Sequence, residues 1–114
     1  MGCLFCNILE GKIPSAKVYE NKRVFAFKDI NPQAKVHLLF VHKEHTEDLC
    51  QLIKQDVSQL NDLFVAIREY VEQVGLDKSG FRVIINNGKE AGQEVWHTHV
   101  HILGGERLGR LNSR

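Results

Sequence analysis

Within Trp96-His97-Thr98-His99-Val100-His101-Ile102-Leu103-Gly104-Gly105, three histidines sit two residues apart, interleaved with β-branched residues. That spacing is the repeat of a strand, which sends alternate side chains to opposite faces. Thr, Val and Ile suit strands. A strand running from Val95 therefore puts His97, His99 and His101 on one face and Thr98, Val100 and Ile102 on the other, toward a core. The chain must then build a sheet with one face covered and the other carrying imidazoles that need hydrogen-bond partners. The apolar interleaving and internal position exclude an expression tag. Two chemistries stay open: the triad holds a metal, or it supplies a nucleophile and general acid or base.

The remaining punctuation predicts the rest of the sheet. Leu4, Phe5, Ile8 and Leu9 have helical spacing, and Gly11 and Pro14 end the turn, giving a short helix over 4–9. Lys17-Val18-Tyr19-Glu20 reads as a strand, Asn21-Lys22 as a hairpin turn, and Arg23 to Lys28 as a second strand. Asn31-Pro32 makes 29–34 a loop, and the apolar run Val36 to Val41 is a third, well-covered strand. Thr46 caps a short turn backed by Glu47 and Asp48. The main helix follows, with Val57, Leu60, Leu63, Phe64, Ile67, Tyr70, Val71 and Val74 as one apolar stripe. Asp56 and Gln59 resemble a capping box, and Gly75 closes the helix. Phe81 to Ile85 is a fourth strand, and 86–92 is the loop leading to the triad strand. Gly104 to Arg114 is a polar tail. This pattern predicts a single α+β domain spanning 1–114, with a mostly antiparallel sheet of about five strands and one long helix.

Composition narrows the function. The formal charge of +1 argues against general nucleic-acid binding, which wants a basic stripe. No apolar run approaches the roughly 20 residues that span a bilayer. No signal-peptide pattern opens the chain, so the expectation is a cytoplasmic protein without a membrane partner. Three cysteines, Cys3, Cys6 and Cys50, do not suggest a disulfide framework. Cys3 and Cys6 form a C-x-x-C pair, readable as half a zinc site or as two thiols on a helical turn. Cys50 reads as a small buried residue.

The triad, with hydrophobic residues between and after its histidines, resembles the signature of the histidine-triad (HIT) superfamily. Further matches are Phe27-Lys28-Asp29-Ile30-Asn31-Pro32-Gln33-Ala34, His37, Asn86 and Gly92-Gln93-Glu94-Val95, in the family's order over nearly the whole chain. Gly104-Gly105 after the triad is similar to the branch of small nucleotide-binding phosphoramidases. The resemblance implies a homodimer with the sheet continued across subunits, and a hydrolase acting at the α-phosphate of purine ribonucleotides such as AMP or GMP derivatives.

It also implies residue roles. His99 is the nucleophile that forms a nucleotidyl-histidine, His101 binds the phosphate, and His37 and His97 belong to the surrounding proton network. Attack needs one unprotonated imidazole nitrogen, so the other nitrogen should donate a hydrogen bond that fixes the tautomer. Asp29 would accept hydrogen bonds from the ribose, Ile30 would lie against the purine, and Asn86 would reach the ribose or phosphate. Gly92, Gln93 and Glu94 would meet the α-phosphate. Glu94 departs from the hydroxyl residue of many members; a carboxylate facing a phosphate is repulsive, so it would contact through its backbone or turn toward the leaving group. Some relatives pair an N-terminal C-x-x-C with two histidines, which implies a structural zinc on Cys3, Cys6, His45 and His97, none being needed for the chemistry. The bland counterpart leaves the thiols empty and His97 hydrogen-bonded in the core. The competing functional reading makes His97, His99 and His101 zinc ligands of a metal-binding module or zinc-dependent hydrolase. Same-face neighbours on a strand lie roughly 7 Å apart, whereas zinc wants each nitrogen near about 2.1 Å.

Overall fold

A computed structural model describes residues 2–111; the end of the polar tail, 112–114, lies outside the described residues. The element order is α1 (Leu4–Leu9), β1 (Lys17–Glu20), β2 (Val24–Lys28), β3 (Val36–His42), α2 (Leu49–Asp56), α3 (Ser58–Val74), α4 (Leu76–Ser79), β4 (Phe81–Ile84), a single 3₁₀ turn (Lys89–Ala91) and β5 (His99–Gly104). The five strands form one antiparallel sheet in the order β1-β2-β3-β5-β4. This is the expected α+β architecture.

The three central strands are divided by parity. Val24, Ala26, Leu38, Phe40, Val100 and Ile102 join the core under α3, where Leu63, Ala66, Ile67 and Val71 meet them. Phe25, Phe27, Leu39 and Val41 face the other way and pack with Phe5 of α1. His99 and His101 share this second face, because Val41 pairs with His99 and Leu39 with His101. Both faces of β2 and β3 are covered, which is why their residues read as continuous apolar runs. The long helix is scaffold on the face away from the histidines.

Several expectations need correction. The triad strand begins at His99, not Val95. The last pair of the β3–β5 ladder is Val41 with His99; Thr98 N–H donates instead to the Thr46 carbonyl at 2.8 Å, and the Thr46 and Thr98 hydroxyls lie 2.7 Å apart in a buried pair. Thr46 therefore ties the triad segment down, and Asp48 caps α2 by accepting from Gln51 N–H at 2.9 Å. The short turn is a full helix that breaks at Val57 before α3. No capping box forms there: Asp56 accepts from Ser58, while buried Gln59 donates to Glu44. Gly75 does close α3, in the left-handed conformation at φ 83°. Asn21 spans a three-residue turn by accepting from Arg23 N–H and Val24 N–H. Cys50 is exposed on the outer side of α2, not buried. Among the described residues no helix is long and apolar enough to cross a membrane.

Candidate functional site

The histidines that share a strand pattern have three different surroundings. His97 precedes β5 and is fully buried. Its Nε2 lies 2.9 Å from the His42 carbonyl. A carbonyl only accepts, so Nε2 carries the hydrogen and Nδ1 a lone pair. That Nδ1 faces Cys3 Sγ at 3.3 Å, His45 Nδ1 at 3.1 Å and Cys6 Sγ at 3.6 Å. Burial, opposed by the His42 carbonyl, pushes the His97 pKa down to about 4.

His99 is the first residue of β5 and 8% exposed. Its Nδ1 lies 2.7 Å from the His97 carbonyl, so Nδ1 donates and Nε2 keeps its lone pair. The Phe5 ring meets it edge-on, with centroids 4.9 Å apart. Burial lowers its pKa, so the ring is neutral near pH 7.

His101 stands beside His37 of β3. Gln33 N–H donates to His37 Nδ1 at 3.0 Å, which leaves the His37 hydrogen on Nε2. That nitrogen lies 2.9 Å from His101 Nδ1 and 3.4 Å from the Asp29 carboxylate. His101 Nδ1 therefore accepts, and its Nε2 carries a hydrogen. Burial first, then the neighbouring His99 and His37 rings, push the His101 pKa down to about 4.

A cavity of about 490 Å³ opens over the second sheet face. Asp29, Ile30, Asn86, Gly92, Glu94, His99 and His101 line it, as expected from the sequence, while Ile30 is 90% exposed at its mouth. His37 is not part of the lining and stands behind His101. Gln93 is also not part of the lining: it is 6% exposed, and its side chain accepts from Gly88 N–H at 2.8 Å and donates to the Glu47 and Val95 carbonyls at 2.7 and 3.1 Å. It holds the loop that carries Gly92 and Glu94. Sequence reasoning missed the apolar wall, to which α1 contributes Leu4, Phe5 and Ile8 and the sheet Phe27 and Leu39. The spacing of Leu4, Phe5 and Ile8 was the available signal, since a helix with that stripe must cover something apolar. Glu94 borders both this cavity and an adjoining one that reaches Cys6, His45 and Trp96.

Among the described residues two groups could hold a metal ion: Cys3, Cys6, His45 and His97, and Asp29, His37 and His101, each with its donor atoms within 4.8 Å of one another. His97, His99 and His101 do not form such a group. In the second group the hydrogen on His37 Nε2 points between its neighbours. In the first, the His97 lone pair points at both thiols. Tetrahedral zinc with bonds of about 2.0–2.3 Å has ligand-to-ligand edges of roughly 3.3–3.8 Å; the thiol–imidazole contacts of 3.3, 3.5 and 3.6 Å fall in that range, and the two imidazole nitrogens lie slightly closer, at 3.1 Å. Burial and the Cys3 thiol push the Cys6 thiol up to about 11, a proton that metal binding would displace.

Residues 10–108 match the HIT domain family. The chain is 40% identical over 104 residues to an uncharacterized HIT-like protein of Helicobacter pylori 26695, covering 91% of this chain and 97% of that one. Its structure is similar to that of a histidine triad protein from Clostridium difficile, with a TM-score of 0.93, 44% identity, and 98% and 97% of the two chains covered. It also resembles a HIT family hydrolase from Legionella pneumophila Philadelphia 1, with a TM-score of 0.89, 37% identity, and 95% and 96% covered. The chain belongs to the HIT family.

Proposed function

We propose that the protein is a hydrolase that cleaves the bond between the α-phosphate of a purine ribonucleotide and its leaving group, phosphoramidates included, through a nucleotidyl intermediate on His99. The observation that carries this reading is the His99 tautomer: the His97 carbonyl takes the Nδ1 hydrogen, leaving a neutral, nucleophilic Nε2 on the wall of the cavity. The lone pair of Nε2 forms a bond to phosphorus. The leaving atom departs with its bonding pair and takes a proton from solvent. Water then attacks phosphorus, loses a proton, and returns the pair to Nε2. His101 offers its Nε2 hydrogen to a phosphate oxygen, held by His37, and Asp29 accepts from the ribose hydroxyls. Gly92 approaches the phosphate with its backbone, and its φ of 85° suits glycine. Asn86 and Ile30 complete the nucleoside site.

The experiment is mass spectrometry of protein quenched during turnover of an adenosine 5′-phosphoramidate. A nucleotidyl adduct on the His99 peptide, lost in His99→Ala together with turnover, is expected. Turnover by His99→Ala would overturn the mechanism.

Cys3, Cys6, His45 and His97 would hold a structural zinc, whose contribution when bound is to tie the N-terminal segment to the triad segment. Metal analysis of protein purified without added zinc tests it, with about one zinc per chain expected.

We also infer a homodimer. Among the described residues β4 is a free sheet edge, with Phe81 and Val83 36% and 40% exposed beside Phe64 of α3 at 39%. Sedimentation should give twice the chain mass, and Val83→Lys should give the monomer; a monomeric wild type would remove this assembly.

A further inference from the structure

Helix α1 stands between the cysteine–histidine cluster and the nucleotide cavity. Cys3 and Cys6 face His45 and His97, while Leu4, Phe5 and Ile8 line the cavity. Phe5 links the two sites. Its ring centroid is 4.9 Å from that of His99 and 5.9 Å from that of His97, and only 2% of the residue is exposed.

Little else anchors this helix. Among the described residues, every hydrogen bond from 2–10 to the chain beyond residue 13 joins Cys3 or Cys6 to His45 or His97. The remaining attachment is apolar packing of Phe5, Ile8 and Leu9 against Phe25, Phe27 and Leu39. A six-residue helix has no independent stability. Its place is set by what it docks on.

We propose that the Cys3–Cys6–His45–His97 cluster, when it holds zinc, positions the nucleotide site: it seats α1 so that Phe5 bears on the His99 ring and closes the apolar wall, and metal occupancy and nucleotide affinity are thereby linked. The inference rests on the nucleotide and zinc readings above. Phe5 is a positioning residue, acting on phosphorus only through His99. Linkage is reciprocal, so the factor by which zinc tightens nucleotide binding is the factor by which nucleotide tightens zinc binding.

The test uses the full chain, loaded with zinc or stripped by a chelator that is then removed. AMP binding is measured by calorimetry, and amide exchange is followed along the chain. Stripping should weaken AMP binding by about tenfold, within the usual range of coupling between two sites, and zinc should restore it. Exchange in 4–9 should rise while β3 and β5 keep their protection. Saturating AMP should slow zinc transfer to a chromogenic chelator.

A second variant covers the outcome in which stripping unfolds the whole domain. Zinc-loaded Phe5→Ala keeps all four metal ligands. It should bind AMP more weakly, and Phe5→Leu should recover most of that loss. Where the stripped protein stays folded, zinc removal should add little to the Phe5→Ala defect, because the two changes act through one contact. Equal AMP affinity with and without zinc in a folded protein, wild-type affinity in Phe5→Ala, or a wild type that takes up no zinc would overturn the proposal. None of these readouts uses turnover, so failure of the His99 adduct would reject the reaction while leaving this linkage to stand or fall separately.

Discussion

The carbonyl of His97 accepts from Nδ1 of His99 at 2.7 Å, and the ring of His97 in turn donates to the carbonyl of His42 at 2.9 Å. Two imidazoles thus have their tautomers set by backbone oxygens. Neither setting depends on a second side chain that could ionise, so each holds as long as its own ring is neutral.

Asp29 accepts from Asn31 N–H at 2.8 Å with one oxygen and lies 3.4 Å from His37 Nε2 with the other. Asp29→Ala should weaken AMP binding by about 1–3 kcal/mol, the scale of hydrogen bonds to a charged group. The 2′,3′-dideoxy analogue should lose much less. Calorimetry with both ligands checks this; equal losses would remove Asp29 from the ribose site.

Gln93→Leu removes three hydrogen bonds and strands Gly88 N–H and the Glu47 and Val95 carbonyls. The expected destabilisation is about 2–4 kcal/mol, from buried polar groups left without partners. The loop carrying Gly92 and Glu94 should loosen with it, so KM should rise alongside the loss of stability. A variant with the wild-type denaturant midpoint would refute the bracing role.

Stability of the metal-free domain should fall as pH drops. His97 and His101 are each held down at about 4 in the folded chain, chiefly by burial, against about 6.5 when unfolded. Between these values the unfolded chain binds protons that the folded chain excludes, so the stabilising difference is complete above the upper value and lost progressively toward the lower one. Denaturant midpoints on either side of this window should show it, and His101→Asn should flatten the slope. A profile unchanged by that substitution would contradict it.

Gly105→Ala tests the turn that ends β5. Gly105 has φ +80°, and an added Cβ would lie 2.8 Å from Val36 Cγ2. Left-handed strain and crowding together should cost about 2–4 kcal/mol, read as a lower denaturant midpoint. Gly109→Ala, where a Cβ meets nothing within 4 Å, is the control and should be close to neutral.

The sheet was legible from the alternation of β5 and from the short apolar runs of β2 and β3, each bounded by turn residues. The residues lining the cavity were legible from the triad and from the resemblance of their order to that of the HIT family. What could not be read is tertiary. The start of β5 depends on Thr46, whose carbonyl takes the Thr98 N–H after the last β3 pair, and nothing near His97 encodes that. α2 hides because Lys54, Gln55 and Asp56 interrupt its apolar positions, leaving Leu52 as its buried residue. The role of Gln93 depends on Glu47, brought beside it by folding. The cavity wall formed by α1 depends on a packing partner at the other end of the chain.

The parity of β3 and β5 has a further consequence. Odd positions from His37 to Val41 and from His99 to Leu103 look toward the face that carries the cavity, even positions toward α3. A single residue inserted between His99 and His101 would turn everything after it to the other side, sending His101 under the helix and Ile102 to the place of Leu103, opposite His37. Substitutions in this segment can be graded and local. A one-residue change of length there reverses the facing of every later residue of the strand at once.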